Sequence, residues 1–295
     1  MSRSSSLPYL WMLCGAASFT VMALLTAGLR ERCDWQWVAI ARSGLAMLFA
    51  IVLALFGGAP LVVFRPASLW ARSLAGSISL LCGFYAMTHM QLSEVLSLTN
   101  MFPLWVAVLS WPMLGEWPKF DVWPAAFVGV VGMLLIYQVN LEGDKIAMGA
   151  ALLSAFTSAI ALISLHKVRE IDPRAIVAHF SGVALLGCVV AMFVFPREKS
   201  LVLDLPTTLL LVGVGLFATI GQLFLTLAFS AGPPARVSVV ILSQVGFTML
   251  GEMLIWRRTF GWQTLLGIGL VLAPTAWMLL RGGEPVREIP LEEAG

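Results

Sequence analysis

Charge is what this sequence has least of. Only 12% of its 295 residues are Asp, Glu, Lys or Arg, against 59% hydrophobic, and the mean hydropathy is +0.91. No soluble core needs so much apolar surface, so the chain must face lipid. The net charge is only +2 and no basic cluster is interleaved with aromatics, which excludes a nucleic-acid partner. Cysteine is scarce as well: Cys14, Cys82 and Cys188 lie in apolar runs and Cys33 stands alone in a loop. Four scattered thiols suggest neither a disulfide framework nor a metal site. Catalytic signatures are missing too, with no HExxH, no Gly-x-Ser-x-Gly elbow, no paired aspartates inside an apolar run and no Walker-type loop. Their absence argues against an intramembrane enzyme and against ATP as driving force, and no cofactor is implied.

What the chain has is hydrophobic length. Runs of about 20 apolar residues, enough to cross a bilayer, recur at 8–28, 36–56, 68–88, 93–114, 121–138, 146–166, 175–195, 206–229, 235–256 and 261–281. The runs are continuous and lack the alternation of a lipid-facing barrel strand, so the expected fold is an all-α membrane bundle of ten helices. The first run reaches from about Leu7 to Leu29, longer than the apolar stretch of a signal peptide, and is expected to stay as a span. Cys14 follows Leu13, where a lipoprotein signal needs a small residue.

The runs are written twice. Met113-Leu114-Gly115-Glu116 recurs as Met249-Leu250-Gly251-Glu252, 136 positions later. Residues 42–48 face 180–186 and Gly15-Ala16-Ala17 faces Gly149-Ala150-Ala151, so the expected division is 1–140 and 141–295, each unit holding five spans. The break between them, 139–145, is made polar by Asn140, Glu142, Gly143 and Asp144. Five is odd, so the second unit must enter the membrane inverted relative to the first. Inverted repeats are a transporter architecture. Counting basic residues between the spans, Arg72 and Arg236 included, gives ten on the side of the N-terminus and seven on the other. That bias predicts cytoplasmic termini.

These residues resemble the drug/metabolite transporter superfamily, specifically its EamA-type ten-span exporters, over nearly the whole chain. The resemblance is carried by Gly115-Glu116 and Gly251-Glu252 closing the fourth and ninth spans, by Gly129, Gly132, Gly267 and Gly269 after them, and by Arg42 and Pro103. It departs where Val239 stands opposite Pro103 and Phe180 opposite Arg42. The resemblance implies a multi-pass protein of the cell (inner) membrane that moves small organic metabolites, often amino acids and their relatives, usually outward. Nucleotide-sugar exchangers belong to the same superfamily and are the runner-up reading; oligomeric state is left open.

Several residues could line a site between the units, and for each the plainer structural reading stays open beside the functional one. Pro103 has no N–H and frees the carbonyl of Thr99, with the Asn100 amide beside it, near mid-bilayer; the alternative is a simple kink satisfied by a neighbouring serine. Thr219, Gln222 and Thr226 share one helical face, and Ser77, Phe84, Tyr85 and Thr88 nearly do. Ser154, Thr157, Ser158, Ser243 and Gln244 complete a candidate lining whose alternative is interhelical packing. Trp105 and Tyr85 could stack on a flat or cationic solute, or sit in the lipid belt. Arg42, read as the only deep charge, is a functional cation or a snorkelling anchor. Glu116, Glu252 and His89 are candidate gate or proton-coupling groups. A lining of neutral amides, hydroxyls and aromatics suits a small zwitterionic or neutral metabolite, whereas phosphates would call for more cations.

Overall fold

The computed structural model describes residues 6–29, 31–64, 66–90, 92–137, 144–195, 199, 201–257 and 259–281. Asn140, Glu142 and Gly143 of the linker, and Arg3, Arg30, Arg65, Arg197, Arg258 and Arg287 of the charge count, lie outside them, as do the side chains of Thr88, Glu94 and Glu252. Among the described residues every regular element is a helix: α1 (Leu7–Ala27), α2 (Trp35–Phe56), α3 (Ala67–His89), α4 (Leu92–Thr99), α5 (Phe102–Leu114), α6 (Val122–Tyr137), α7 (Lys145–Lys167), α8 (Pro173–Val194), α9 (Leu205–Ala231), α10 (Pro234–Val240), α11 (Ser243–Trp256) and α12 (Trp262–Arg281). The pairs α4/α5 and α10/α11 each make one pass, which gives ten passes. Among the described residues seven stretches are long and apolar enough to cross a bilayer unaided, and α5 and α6 are shorter apolar helices.

Helix starts are set by side chains that satisfy otherwise orphan backbone donors. Asp144 accepts from the Ile146 N–H, Asp172 from the Arg174 N–H and Asp204 from the Thr207 N–H, each at 2.8 Å. Asp204 lies outside the apolar run and also meets Arg32 at 3.0 Å. The bonds from Thr207 and the charge of Arg32 hold its carboxyl below the usual range. A depressed folded value stabilises the protein above the unfolded value, near pH 3.9, and the contribution fades as pH falls through the lower folded value. Asp204→Asn is therefore expected to lower the unfolding temperature above about pH 5, with the gap to wild type closing as pH falls through the lowered folded value. A gap that stays constant with pH would refute this role.

The helices pack as two interlocked halves. The α3–α7 pair is matched by α9–α1, α2–α9 by α8–α3, and α5–α7 by α11–α1, while α2–α8 and α6–α12 map onto themselves. That is the pattern produced by exchanging the first five passes for the second five. One end of the bundle carries the α1–α2, α3–α4 and α8–α9 connections and the start of α7, and is called the linker end. The opposite end, with the start of α1 and the end of α12, is the terminal end.

Three expectations change. The fourth pass is not a kinked helix but two helices, since α4 stops at Thr99 and Pro103 sits in the first turn of α5. There its missing N–H would have been an orphan anyway. The ninth pass breaks as well, without any proline, at Ile241–Leu242. Tight three-residue bonds take over there, from the Leu242 N–H to the Val239 carbonyl (3.2 Å) and from the Gln244 N–H to the Ile241 carbonyl (3.0 Å). The β-branched run Val237, Val239, Val240, Ile241 holds a helix weakly. The duplicated glycine also serves two purposes. Gly115 closes α5 in the left-handed conformation, φ 75°, which only glycine adopts freely. Gly251 lies inside α11 and does not close it; a Cβ there would come within 2.6 Å of Leu24 Cδ1, so its lack of a side chain admits α1.

Candidate transport site between the repeats

Arg72 and Arg236 are not loop cations, which leaves the basic count at eight against seven. Arg236, in α10, pairs with Asp121 and is 8% exposed; Arg72, in α3, is 3% exposed. A guanidinium buried this deeply in an apolar bundle must find partners, and Arg72 finds them in the other repeat. Its Nη2 donates to Gln222 Oε1 of α9 at 3.1 Å. Its Cζ lies 4.1 Å from the centre of the Phe180 ring of α8, in cation–π contact. Gly76, one turn along α3, makes room: a Cβ there would fall 2.4 Å from Arg72 Nη1 and 2.8 Å from the Phe180 ring. Phe180 is the residue that occupies the repeat position of Arg42, so the missing second arginine is replaced by a π face for Arg72.

Arg42, in α2, is partly buried. It donates no hydrogen bond to any described residue, and its buried Nε has no partner, nor does the Nε of Arg72. Beside it, Ser43 Oγ and Cys188 Sγ of α8 are 4.0 Å apart. Thr226 lies one turn beyond Gln222, fully buried, with an unpartnered Oγ1. Thr219, on the same face, bonds to its own helix at the Gly215 carbonyl. Near Arg72, Ser73 meets His179 Nδ1 at 2.7 Å, while His179 Nε2 donates to the Val63 carbonyl at 3.1 Å.

The other residues singled out in the sequence do not join this cluster. Asn100 Nδ2 donates to the Leu96 carbonyl (2.7 Å), which also accepts from the Asn100 N–H (3.0 Å), and Thr99 Oγ1 donates to the Val95 carbonyl (2.9 Å), so both side chains turn back onto the last turn of α4. Ser158 and Ser154 bond Ser79 of α3, at 2.5 and 3.1 Å, and knit α3 to α7. Trp105 packs edge-on against Phe156, centroids 5.3 Å apart. The Gln244 carbonyl accepts from Thr20 of α1 at 3.2 Å. Tyr85 stacks on His89 (4.3 Å) and meets the Phe195 ring at a tilt (5.7 Å), beside the Trp35–Phe84 stack (5.0 Å), at the linker end. Glu116 is exposed at the terminal end, where a cleft of about 640 Å³ is lined by Glu116, His166, Lys167 and Arg169 among others.

Arg72 is the residue the sequence reading undervalued. It lies inside the run 68–88, about as deep as Arg42 in its own run, and the same burial argument applies to both.

The EamA-like transporter family matches the sequence twice, over residues 6–138 and 145–280. The chain belongs to the EamA-like transporter family. This EamA-like chain is 27% identical to the pseudopaline exporter CntI of Pseudomonas aeruginosa, over 86% of its own length and 89% of that protein's. It is 26% identical to a Helicobacter pylori protein described as an uncharacterized transporter, covering 68% and 69% of the two chains. Human solute carrier family 35 member G1 is 24% identical over 71% of the chain and 61% of the carrier. A solved crystal structure shares the fold with a TM-score of 0.80 at 16% identity, covering 95% of this chain and 97% of that one. The EamA-like chain is thus a multi-pass membrane transporter and not an enzyme.

Proposed function

We propose that this transporter exports small organic metabolites, amino-acid-like or similar, by alternating access around a site between its two repeats. The observation that carries this reading is the contact of Arg72 in one repeat with Gln222 and Phe180 in the other. A polar group shared across a repeat interface inside the bundle is where an exchanging carrier needs its solute. Outward movement is supported by a relative that is named an exporter. The termini are read as cytoplasmic on the basic-residue bias, and the drive as exchange or proton coupling.

Counterflow in proteoliposomes tests the reading, because only a carrier concentrates labelled solute against a preloaded exchange partner. Labelled amino acids are the first probes, with and without a pH gradient. Asn100→Ala removes the amide at the break of the fourth pass at the expense of one backbone bond, about 1 kcal/mol. It is expected to slow counterflow several-fold at equal expression. Unchanged flux in that variant removes Asn100 from the site, absence of counterflow with every solute sinks the carrier reading, and flux indifferent to pH leaves Glu116, Glu252 and His89 as structural residues.

A further inference from the structure

The two ends of the bundle are held differently. At the linker end the repeats are tied by several small contacts. Arg32 of the first repeat bonds Asp204 of the second at 3.0 Å, Glu31 meets Lys199 at 3.4 Å, and the Asp34 carboxylate accepts from the Lys199 N–H at 2.8 Å. Beside them Phe195, which follows α8, brings its ring edge-on to Trp35 (centroids 6.1 Å apart) and at a tilt to Tyr85 (5.7 Å). Trp35 and Tyr85 are stacked in turn on Phe84 and His89 of their own repeat, so among the described residues Phe195 is the ring of this cluster that the second repeat supplies. At the terminal end a cleft of about 640 Å³ lies between the repeats instead, lined by Pro66, Leu114 and Glu116 of the first and by residues 166–171 of the second. Helix α3 runs from one end to the other. Pro66 caps its start, Arg72 lies about 9 Å further along the axis, and Phe84 and Tyr85 follow about 18–20 Å beyond Arg72.

From this asymmetry we propose that Phe195 is the gate of the linker end: seated between Trp35 and Tyr85, it shuts the path from the Arg72 site to that side, while the cleft at the terminal end is the open mouth. The inference rests on the site between the repeats proposed above and adds the side chain that controls access to it. The contacts suit reversible closure. Edge-on and tilted ring pairs are individually weak. The ion pairs beside them have side chains between 40% and 86% exposed, so water and salt screen them. A closure assembled from several weak ties can be broken and remade, whereas a tie as buried as Arg236–Asp121 is built to stay made. Phe195 is also placed to move. It stands just past the last turn of α8, where the backbone becomes extended (φ −99°, ψ 141°) and its N–H still bonds the Ala191 carbonyl at 2.9 Å. A change in its own dihedrals or in the tilt of α8 withdraws the ring without unfolding a helix.

The test is hydrogen–deuterium exchange of the purified full chain in lipid nanodiscs, read by mass spectrometry with no solute added. The probes are the stretches that hold the bonded amides of Cys33, Trp37 and Lys199 at the linker end and of Val168 and Ile171 at the terminal end. Phe195→Ala, which loses both ring contacts, is expected to shift the open-to-shut ratio of the linker end about tenfold. Exchange should then rise at the linker end and fall at the terminal end. These opposite changes are the signature, because a side chain that merely stiffened its surroundings would loosen the linker end alone. If Phe195→Ala fails to fold, Phe195→Leu still decides: it keeps the apolar bulk, loses the ring pairs, and is expected to move both ends in the same directions by a few-fold. Phe195→Tyr keeps the ring and is expected to exchange like wild type. Faster exchange at the linker end with no slowing at the terminal end, faster exchange at both ends, or no change at either would each overturn the proposal. Counterflow is measured on the same variants. Opposite shifts without counterflow in any variant or wild type would sustain the gate and refute the solute-exchange reading, whereas counterflow without opposite shifts would refute the gate and leave that reading standing.

Discussion

Arg236→Met is expected to destabilise the protein by about 3–5 kcal/mol, the usual result of removing one partner from a buried ion pair. Arg236 bonds Asp121 in the turn before α6, beside the buried Tyr9 of α1. The ion-paired side chains are only 10% and 19% exposed. One carboxylate oxygen of Asp121, Oδ1, already lacks a partner. Without Arg236 the whole carboxylate would be left uncompensated at the packed terminal end, among α1, α6 and α10. Asp121→Asn in the same chain removes the stranded charge and is expected to recover a good part of the loss, a coupling that a double-mutant cycle measures directly. Thermal unfolding in detergent reads both effects. A loss below about 1 kcal/mol for the single variant would mean that the pair is solvated and of the ordinary surface kind.

The second large effect is expected where α6 crosses α12. A Cβ on Gly132 would fall 2.7 Å from the Gly267 carbonyl oxygen, and a Cβ on Gly267 would fall 2.6 Å from the Gly132 carbonyl oxygen. Both obstacles are backbone, so no rotamer change relieves them and the helices must move apart. Membrane helices associate through such close approach, since lipid offers no hydrophobic drive to hold them together. Gly132→Val and Gly267→Val are expected to lose at least the ~1–3 kcal/mol typical of overpacking. Gly269→Ala is the control. It lies on the same helix with nothing within 4 Å of its Cβ position, and its stability is expected to hold. Equal behaviour of the three variants would show that the crossing is not closely packed.

These four glycines illustrate how far sequence reading reaches. Their spacing marks both helices, but Gly132 and Gly267 form the crossing, Gly129 faces Leu242 and Gly269 faces nothing. Four identical residues in similar contexts acquire different roles because each role depends on the partner helix. The repeated Gly115 and Gly251 diverge for the same reason, one closing a helix by its own dihedral freedom and the other making room for Leu24 of α1. The break in the ninth pass was invisible because no proline announces it; only the bonds around Ile241 and Leu242 do.

Ten passes, their duplication and inversion, and the transporter family were all present in the sequence by itself. They rest on hydrophobic length and recurring short motifs, which are local properties that survive without knowledge of any neighbour. Arg42 was also legible, since a charge inside an apolar run is conspicuous wherever it packs. The partners of Arg72 were decided by the tertiary structure alone. Gln222 lies 150 positions away, and Phe180 comes from yet another helix. In a bilayer the lipid-facing and helix-facing sides of a span are almost equally apolar, so its pattern does not tell which face turns inward. Only the packing of α3 against α8, with the Arg72 side chain reaching across to α9, brings a cation, an amide and a ring to one place.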